Sequence, residues 1–190
     1  MEQDEFSKLA DMCLAPWIAK ATALRMIPRE IGGNMFRHVM STMTILIDYH
    51  YIYSYLLKAA IIHDLWEDIP DTNILELSTI DNDSQRVILL VSELTRRHGE
   101  DKAAFLTRIK RDGTRDAKII KSADRIQNLT DISEFSNQDF IIRYLSETEK
   151  FIYPIVDEVD FNMAIEIRDL VRRKKNFIKK ANKLKLFRIF

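Results

Sequence analysis

Four ionisable side chains crowd the end of the segment Ala59-Ala60-Ile61-Ile62-His63-Asp64-Leu65-Trp66-Glu67-Asp68, which is otherwise apolar. Packing alone gives an apolar helix no reason to end this way. At helical spacing, residues four apart share a face, which sets His63 beside Glu67 and Asp64 beside Asp68. Carboxylates held this close repel one another unless a cation or shared protons intervene. Imidazole nitrogen together with carboxylate oxygen suits Mn²⁺, Fe²⁺ or Zn²⁺, and two neutral histidines with two ionised aspartates would balance a divalent charge. The donor set admits Mg²⁺ as well. Two further ligands must come from elsewhere, and the candidates are His38 on the preceding helix and Asp124 within Lys121-Ser122-Ala123-Asp124-Arg125. Taken singly, each has a plainer reading. A lone histidine is more often a core or surface residue, as His50 and His98 are read here, and Asp124 next to Arg125 could form a surface ion pair worth little. Only the joint pattern points to a metal centre.

The elements that must position these residues read as helices. Apolar residues recur at helical periods from Asp4 to Leu24, with Pro16 interrupting, and the stretch Pro28 to Asn34 with its Gly32-Gly33 pair reads as a loop leading to His38. Helices are expected from Met35 to about Asp48 and from Tyr53 to Asp68, the second stopped by Pro70. Further helices are expected near 83–95, 101–110, 115–128, 138–159 and 162–184. No period-2 strand pattern, internal repeat or low-complexity tract interrupts them. The expectation is an all-α, compact single-domain bundle of roughly seven to ten helices spanning 1–190.

Composition agrees with that class. Hydrophobic residues make up 46% and charged residues 31% of the 190 residues, with only four Gly and four Pro. Cys13 is the one cysteine, so neither a disulfide framework nor a cysteine zinc site can form within the chain. No apolar run approaches the roughly 18–20 residues of a membrane span, and the opening Met-Glu-Gln-Asp-Glu lacks a basic leader, so a cytoplasmic protein without a membrane partner is expected. Net charge is zero but unevenly spread: from Arg168 onward ten Lys/Arg face only Asp169. This basic helix, about 168–190, reads first as a solvated face beside the apolar stripe Leu170, Phe177, Ile178, Leu184 and Phe187, and only second as a surface for nucleic acid, membrane or another subunit. Self-association is left open.

Four sequence blocks together resemble the HD superfamily and, within it, the alarmone hydrolases: the hydrolase domain of the RelA/SpoT proteins and their small stand-alone versions, including the animal Mesh type. His38 with the helix Val39 to Ile47, then Ala59-Ala60-Ile61-Ile62-His63-Asp64 with Glu67-Asp68, is similar to the family's "H…AALLHDTVED". Lys121 to Leu129 is similar to "KLADRLHNM", and Glu147-Thr148 with Tyr153-Pro154 to "ET…YAPLA". The blocks stand in family order over about residues 25–156.

The resemblance implies Mn²⁺ bound by His38, His63, Asp64 and Asp124, with Glu67 and Asp68 as the catalytic acidic pair. It further implies release of pyrophosphate from the 3′ position of guanosine tetra- or pentaphosphate (ppGpp or pppGpp), leaving GDP or GTP. By the same resemblance Asn128 contacts the nucleoside and Arg29 stands where the family's "RKSG" loop has an arginine. Apart from the resemblance, Arg25, Arg37 and Lys121 are candidates for phosphate contact, each of which taken singly reads first as a solvated surface cation. The loop here reads Arg29-Glu30-Ile31-Gly32, so a lysine and a serine are replaced, and Thr130-Asp131 stands where the family tends to have Arg-Thr. Base preference is therefore open. Two other readings stay beside this one: an HD-type phosphohydrolase for another nucleotide, such as an adenosine alarmone or a nucleoside monophosphate, and a regulator that binds nucleotide without turnover.

Overall fold

A computed structural model describes residues 3–133 and 137–187, with side chains described over 4–133 and 137–180. The chain begins with α1 (Gln3–Ala10) and α2 (Ala15–Ala21), which tightens into a 3₁₀ turn over Thr22–Met26. Then come α3 (Met35–Asp48), α4 (Ser54–Ile62), the single turn α5 (Leu65–Asp68), α6 (Ile74–Ser78), α7 (Ser84–Leu94), α8 (Lys102–Asp112) and α9 (Arg115–Asp131). α10 (Gln138–Glu147) runs through a π turn at Thr148–Ile152 into α11 (Tyr153–Asp157), and α12 (Phe161–Phe187) completes the fold. Twelve α-helical segments stand among the described residues, α10 and α11 joined end to end through the π turn. No strand occurs among them, and a lone bridge joins Pro28 to Asn34.

The centre is α4. Seven of its residues, from Leu56 to Ile62, are buried, as expected of a helix that is apolar nearly all round. α3, α7 and α2 pack around it, and α9 packs against α3 and α12. The one charge in that run, Lys58, reaches out of the core to Asp81 (2.8 Å) and Asp83 (2.7 Å). Its long stem is buried and its ammonium is paired, which is how a lysine is tolerated there.

Local chemistry sets the helix starts that matter for the site. Gly32 (φ 98°) and Gly33 (φ 75°) let the 28–34 loop turn back on itself, and the Asn34 side chain then accepts the Arg37 amide at 2.9 Å to cap α3. Thr114 caps α9 by accepting the Ala117 amide at 3.2 Å. α3 begins three residues before His38, and α9 carries Asp124 at mid-length, so both ligand candidates sit on rigid, capped supports.

Two expectations need correcting. The sequence reads 53–68 as one helix, whereas the chain breaks at His63-Asp64 between α4 and α5. His63 Nδ1 donates to the Ala60 carbonyl at 2.8 Å, a side-chain bond taken at a helix end where carbonyls lack following amides. The short α6 was not expected at all. Of the basic C-terminal stripe, Ile178 is buried and Leu170 and Phe177 pack against the core, while the side chains of Leu184 and Phe187 lie outside the described residues. No helix among the described residues is long and apolar enough to cross a membrane.

Candidate metal centre

Three separate stretches of chain converge on one point: α3 brings His38, the α4–α5 turn brings His63 and Asp64, and α9 brings Asp124. The two imidazole rings stand 5.2 Å apart, tilted by 60°. His38 Nε2 lies 3.2 Å from both Asp64 Oδ2 and Asp124 Oδ1, and His63 Nε2 lies 3.3 Å from Asp64 Oδ2. His38, His63 and Asp124 are buried, each offering a ligand atom within 4.8 Å of the others, so the trio could hold a metal ion. Asp64 is outside that trio, yet its Oδ2 touches both rings and closes the set.

The hydrogen bonds behind the rings show what the front faces want. His63 gives its Nδ1 proton to Ala60, and His38 Nδ1 lies 2.6 Å from Gln127 Oε1, an acceptor only. In the neutral ring both Nε2 atoms then carry lone pairs aimed at carboxylates, an arrangement that repels unless a cation sits between. His63 Nε2 is buried without a hydrogen bond although Asp64 is 3.3 Å away. An orphaned buried nitrogen, two anchored imidazoles and two acids fit a divalent ion.

The electrostatics agree. Burial disfavours a charged His38, but hydrogen bonds to Asp124 and Asp64 outweigh it and push the ring up to about 10. Burial likewise resists ionisation of Asp64, yet the facing His63 and His38 rings bring it down to about 2. For Asp124, Lys121 and then His38 outweigh burial and hold the carboxyl well below its usual range. The cluster takes up a positive charge, and a proton supplies it where a metal does not. A metal must displace that proton from His38, so apparent Mn²⁺ affinity is expected to rise about tenfold per pH unit between roughly pH 6 and 8. Titration by electron paramagnetic resonance (EPR) at several pH values measures this, and an affinity independent of pH would contradict the arrangement.

The acidic pair beside the centre is divided. Glu67 accepts from the Arg96 backbone amide (2.8 Å) and from its Nε (3.0 Å), so it anchors the loop after α7. Asp68 is different: its amide bonds to the Asp64 carbonyl at 3.1 Å, keeping the four-residue spacing, while its Oδ2 is buried with no partner. Burial, followed by the charges of Asp64 and Glu67, pushes Asp68 up to about 6.

Of the residues expected to contact nucleotide, three have partners within the protein and two are exposed. Arg29 is turned inward, bonded to Asp131, to Asn128 Oδ1 (2.6 Å) and to Gln127 Oε1 (3.2 Å). Asn128 gives its amide hydrogens to the Asp124 carbonyl (3.0 Å) and carboxylate. Lys121 reaches Asp124 Oδ2 at 2.8 Å, while Arg25 and Arg37 are exposed. Further cations line the neighbourhood: Lys102 on α8 lies 3.1 Å from Glu147, and Arg125 bonds Glu147 at 2.7 Å and Thr148 at 2.9 Å. Sequence reasoning assigns no site role to Lys102 or Gln127, and marks Asp131 only as a departure from the family pattern. For Gln127 and Asp131 a signal existed, because 124, 127, 128 and 131 share one face of α9 at spacings of three, four and seven.

An all-helical scaffold thus brings two histidines and two aspartates around one point. The chain matches a solved structure described as a metazoan ortholog of SpoT that hydrolyzes ppGpp and plays a role in starvation responses, with a TM-score of 0.68, 21% sequence identity, and coverage of 92% of this chain and 97% of that one. At that identity the likeness establishes the fold. No family model and no curated protein sequence matches the chain.

Proposed function

We propose that this protein is a metal-dependent pyrophosphohydrolase that removes the 3′-diphosphate of guanosine tetra- or pentaphosphate, giving GDP or GTP and pyrophosphate. The observation that carries the reading is the meeting of His38, His63, Asp64 and Asp124 beside a carboxyl with a free buried oxygen, Asp68. The four sequence blocks and the shared fold support it.

A divalent ion held by these four residues would polarise the attacking water and shield phosphate charge. The chain's own groups do the rest. Asp68, with its pKa pushed up to about 6, is tuned to accept the proton of water near neutral pH. As water oxygen bonds to phosphorus, Asp68 takes the water's proton; the P–O3′ bond breaks on the far side, the 3′ oxygen takes a proton from solvent, and Asp68 later releases its own to solvent. Glu67, held by Arg96, fixes the turn that carries Asp68. Lys121, paired with Asp124, and Lys102, whose charge couples to it, are the cations proposed to meet the diphosphate.

Purified protein with Mn²⁺ and guanosine tetraphosphate is expected to yield GDP and pyrophosphate in equal amounts, with no reaction after chelation. Intact substrate in the presence of bound metal would overturn the reading. A second reading keeps the chemistry and changes the nucleotide, and one observation favours it: Arg29 and Asn128 are occupied by contacts within the protein. Adenosine alarmones and nucleoside monophosphates assayed alongside separate the two.

A further inference from the structure

Arg29 comes from the loop before α3, yet its side chain is only 6% exposed and all its partners lie on α9. A guanidinium has donors and no acceptor, so both amides that meet it must present their oxygens. That fixes Gln127 and Asn128 in one orientation each. The Gln127 NH₂ then faces Asp131 at 2.6 Å, and the Asn128 NH₂ faces Asp124. The two ends of the ion pair grip opposite ends of the Gln127 amide, with Arg29 at its oxygen and Asp131 at its nitrogen.

The consequence reaches both helices that carry ligands. Gln127 Oε1, held as an acceptor by Arg29, lies 2.6 Å from His38 Nδ1, so that nitrogen carries the hydrogen and Nε2 keeps its lone pair in the neutral ring. A flipped Gln127 would set its NH₂ against Arg29 and against His38 Nδ1–H. Asn128, fixed through its oxygen, steers Asp124 from behind. We propose that Arg29, locked by Asp131, is a positioning residue that sets the tautomer of His38 and the orientation of Asp124, and so tunes metal affinity, without touching the nucleotide. The proposal rests on the metal-dependent reading above.

The test uses the full chain, unaltered and as Arg29→Met, Arg29→Lys, and Arg29→Met with Asp131→Met. Mn²⁺ affinity is read by EPR of the free ion, and kcat and KM for guanosine tetraphosphate are read at saturating Mn²⁺. Arg29→Met is expected to weaken Mn²⁺ binding by about 10–100-fold, the range for outer partners of metal ligands, with KM unchanged once metal saturates. Arg29→Lys is expected to recover little, since one ammonium cannot span two amides and a carboxylate as a planar fork does. The double variant leaves no lone buried charge and therefore keeps the test valid if Arg29→Met fails to fold; it too must bind metal weakly. In Zn²⁺-loaded protein, the downfield proton signal of His38 Nδ1–H is expected to shift or broaden in each variant. Unchanged Mn²⁺ affinity with a raised KM would make Arg29 a nucleotide contact and overturn the proposal alone. Should the unaltered chain bind no Mn²⁺, the metal-dependent reading falls and the proposal with it.

Discussion

Asp124→Asn is expected to lower hydrolysis by at least about 10³-fold and to abolish tight metal binding, because the several kcal/mol that a metal supplies to such a reaction correspond to that factor. The asparagine is nearly isosteric, so the loss would report charge rather than shape. Stability should fall as well. Lys121 lies 2.8 Å from Asp124 Oδ2 with little exposure, and the substitution strands its ammonium. Breaking a buried pair from one side costs about 3 kcal/mol. Adding Lys121→Met is expected to restore much of the melting temperature and none of the activity, separating the two roles of Asp124. Calorimetry beside the assay reads both, and turnover within tenfold of the unaltered protein would place the ion elsewhere.

Asp68→Asn should move activity and stability in opposite directions. Loss of a general acid–base group costs about 10²–10⁴-fold in turnover. In the metal-free protein the sign for stability follows from the raised pKa. An unfolded aspartate ionises near about 4, whereas Asp68 in the fold ionises at about 6, so folding penalises the charged form and stability falls as pH rises through that window. Asparagine has no charge to penalise. Above pH 6 the variant is expected to be more stable by about 1 kcal/mol, the full shift being discounted for the partial exposure of the group. Denaturant melts at two pH values check this, and equal stability at both would deny Asp68 its unpaired burial. Glu67→Gln makes the contrast: its partner is Arg96, so its effect on turnover should be far smaller.

Much of this arrangement was legible in the sequence because helical periodicity is a local signal. α3 runs over Met35–Asp48 as its apolar spacing required, and α7 and α9 fall within a few residues of expectation. The four ligand candidates could be named because each stands in a recognisable block, and the helices bring them together. What escaped notice depends on contacts between distant residues. The break after Ile62 follows from His63 turning back to the Ala60 carbonyl, which periodicity does not register. α6 is a single turn, too short to show a period. The resemblance marks Arg29 only as a loop arginine, and nothing local signals its side-chain partners, which lie 98–102 residues further on. Asp131, which first read as a departure near the base pocket, gains its sense only as the mate of that arginine. Within the described part of the basic C-terminal helix, Arg168 meets Asp157 and Lys175 meets Glu149 on other elements, while Arg172 meets Asp169 on the same helix.

Pulsed EPR of the protein loaded with one equivalent of Mn²⁺ addresses the centre most directly, since imidazole nitrogens bound to the ion leave their own modulation. Two such nitrogens are expected in the unaltered chain, one in His38→Ala and one in His63→Ala. A spectrum of water and carboxylate oxygen alone, unaffected by either substitution, would contradict the account at its root.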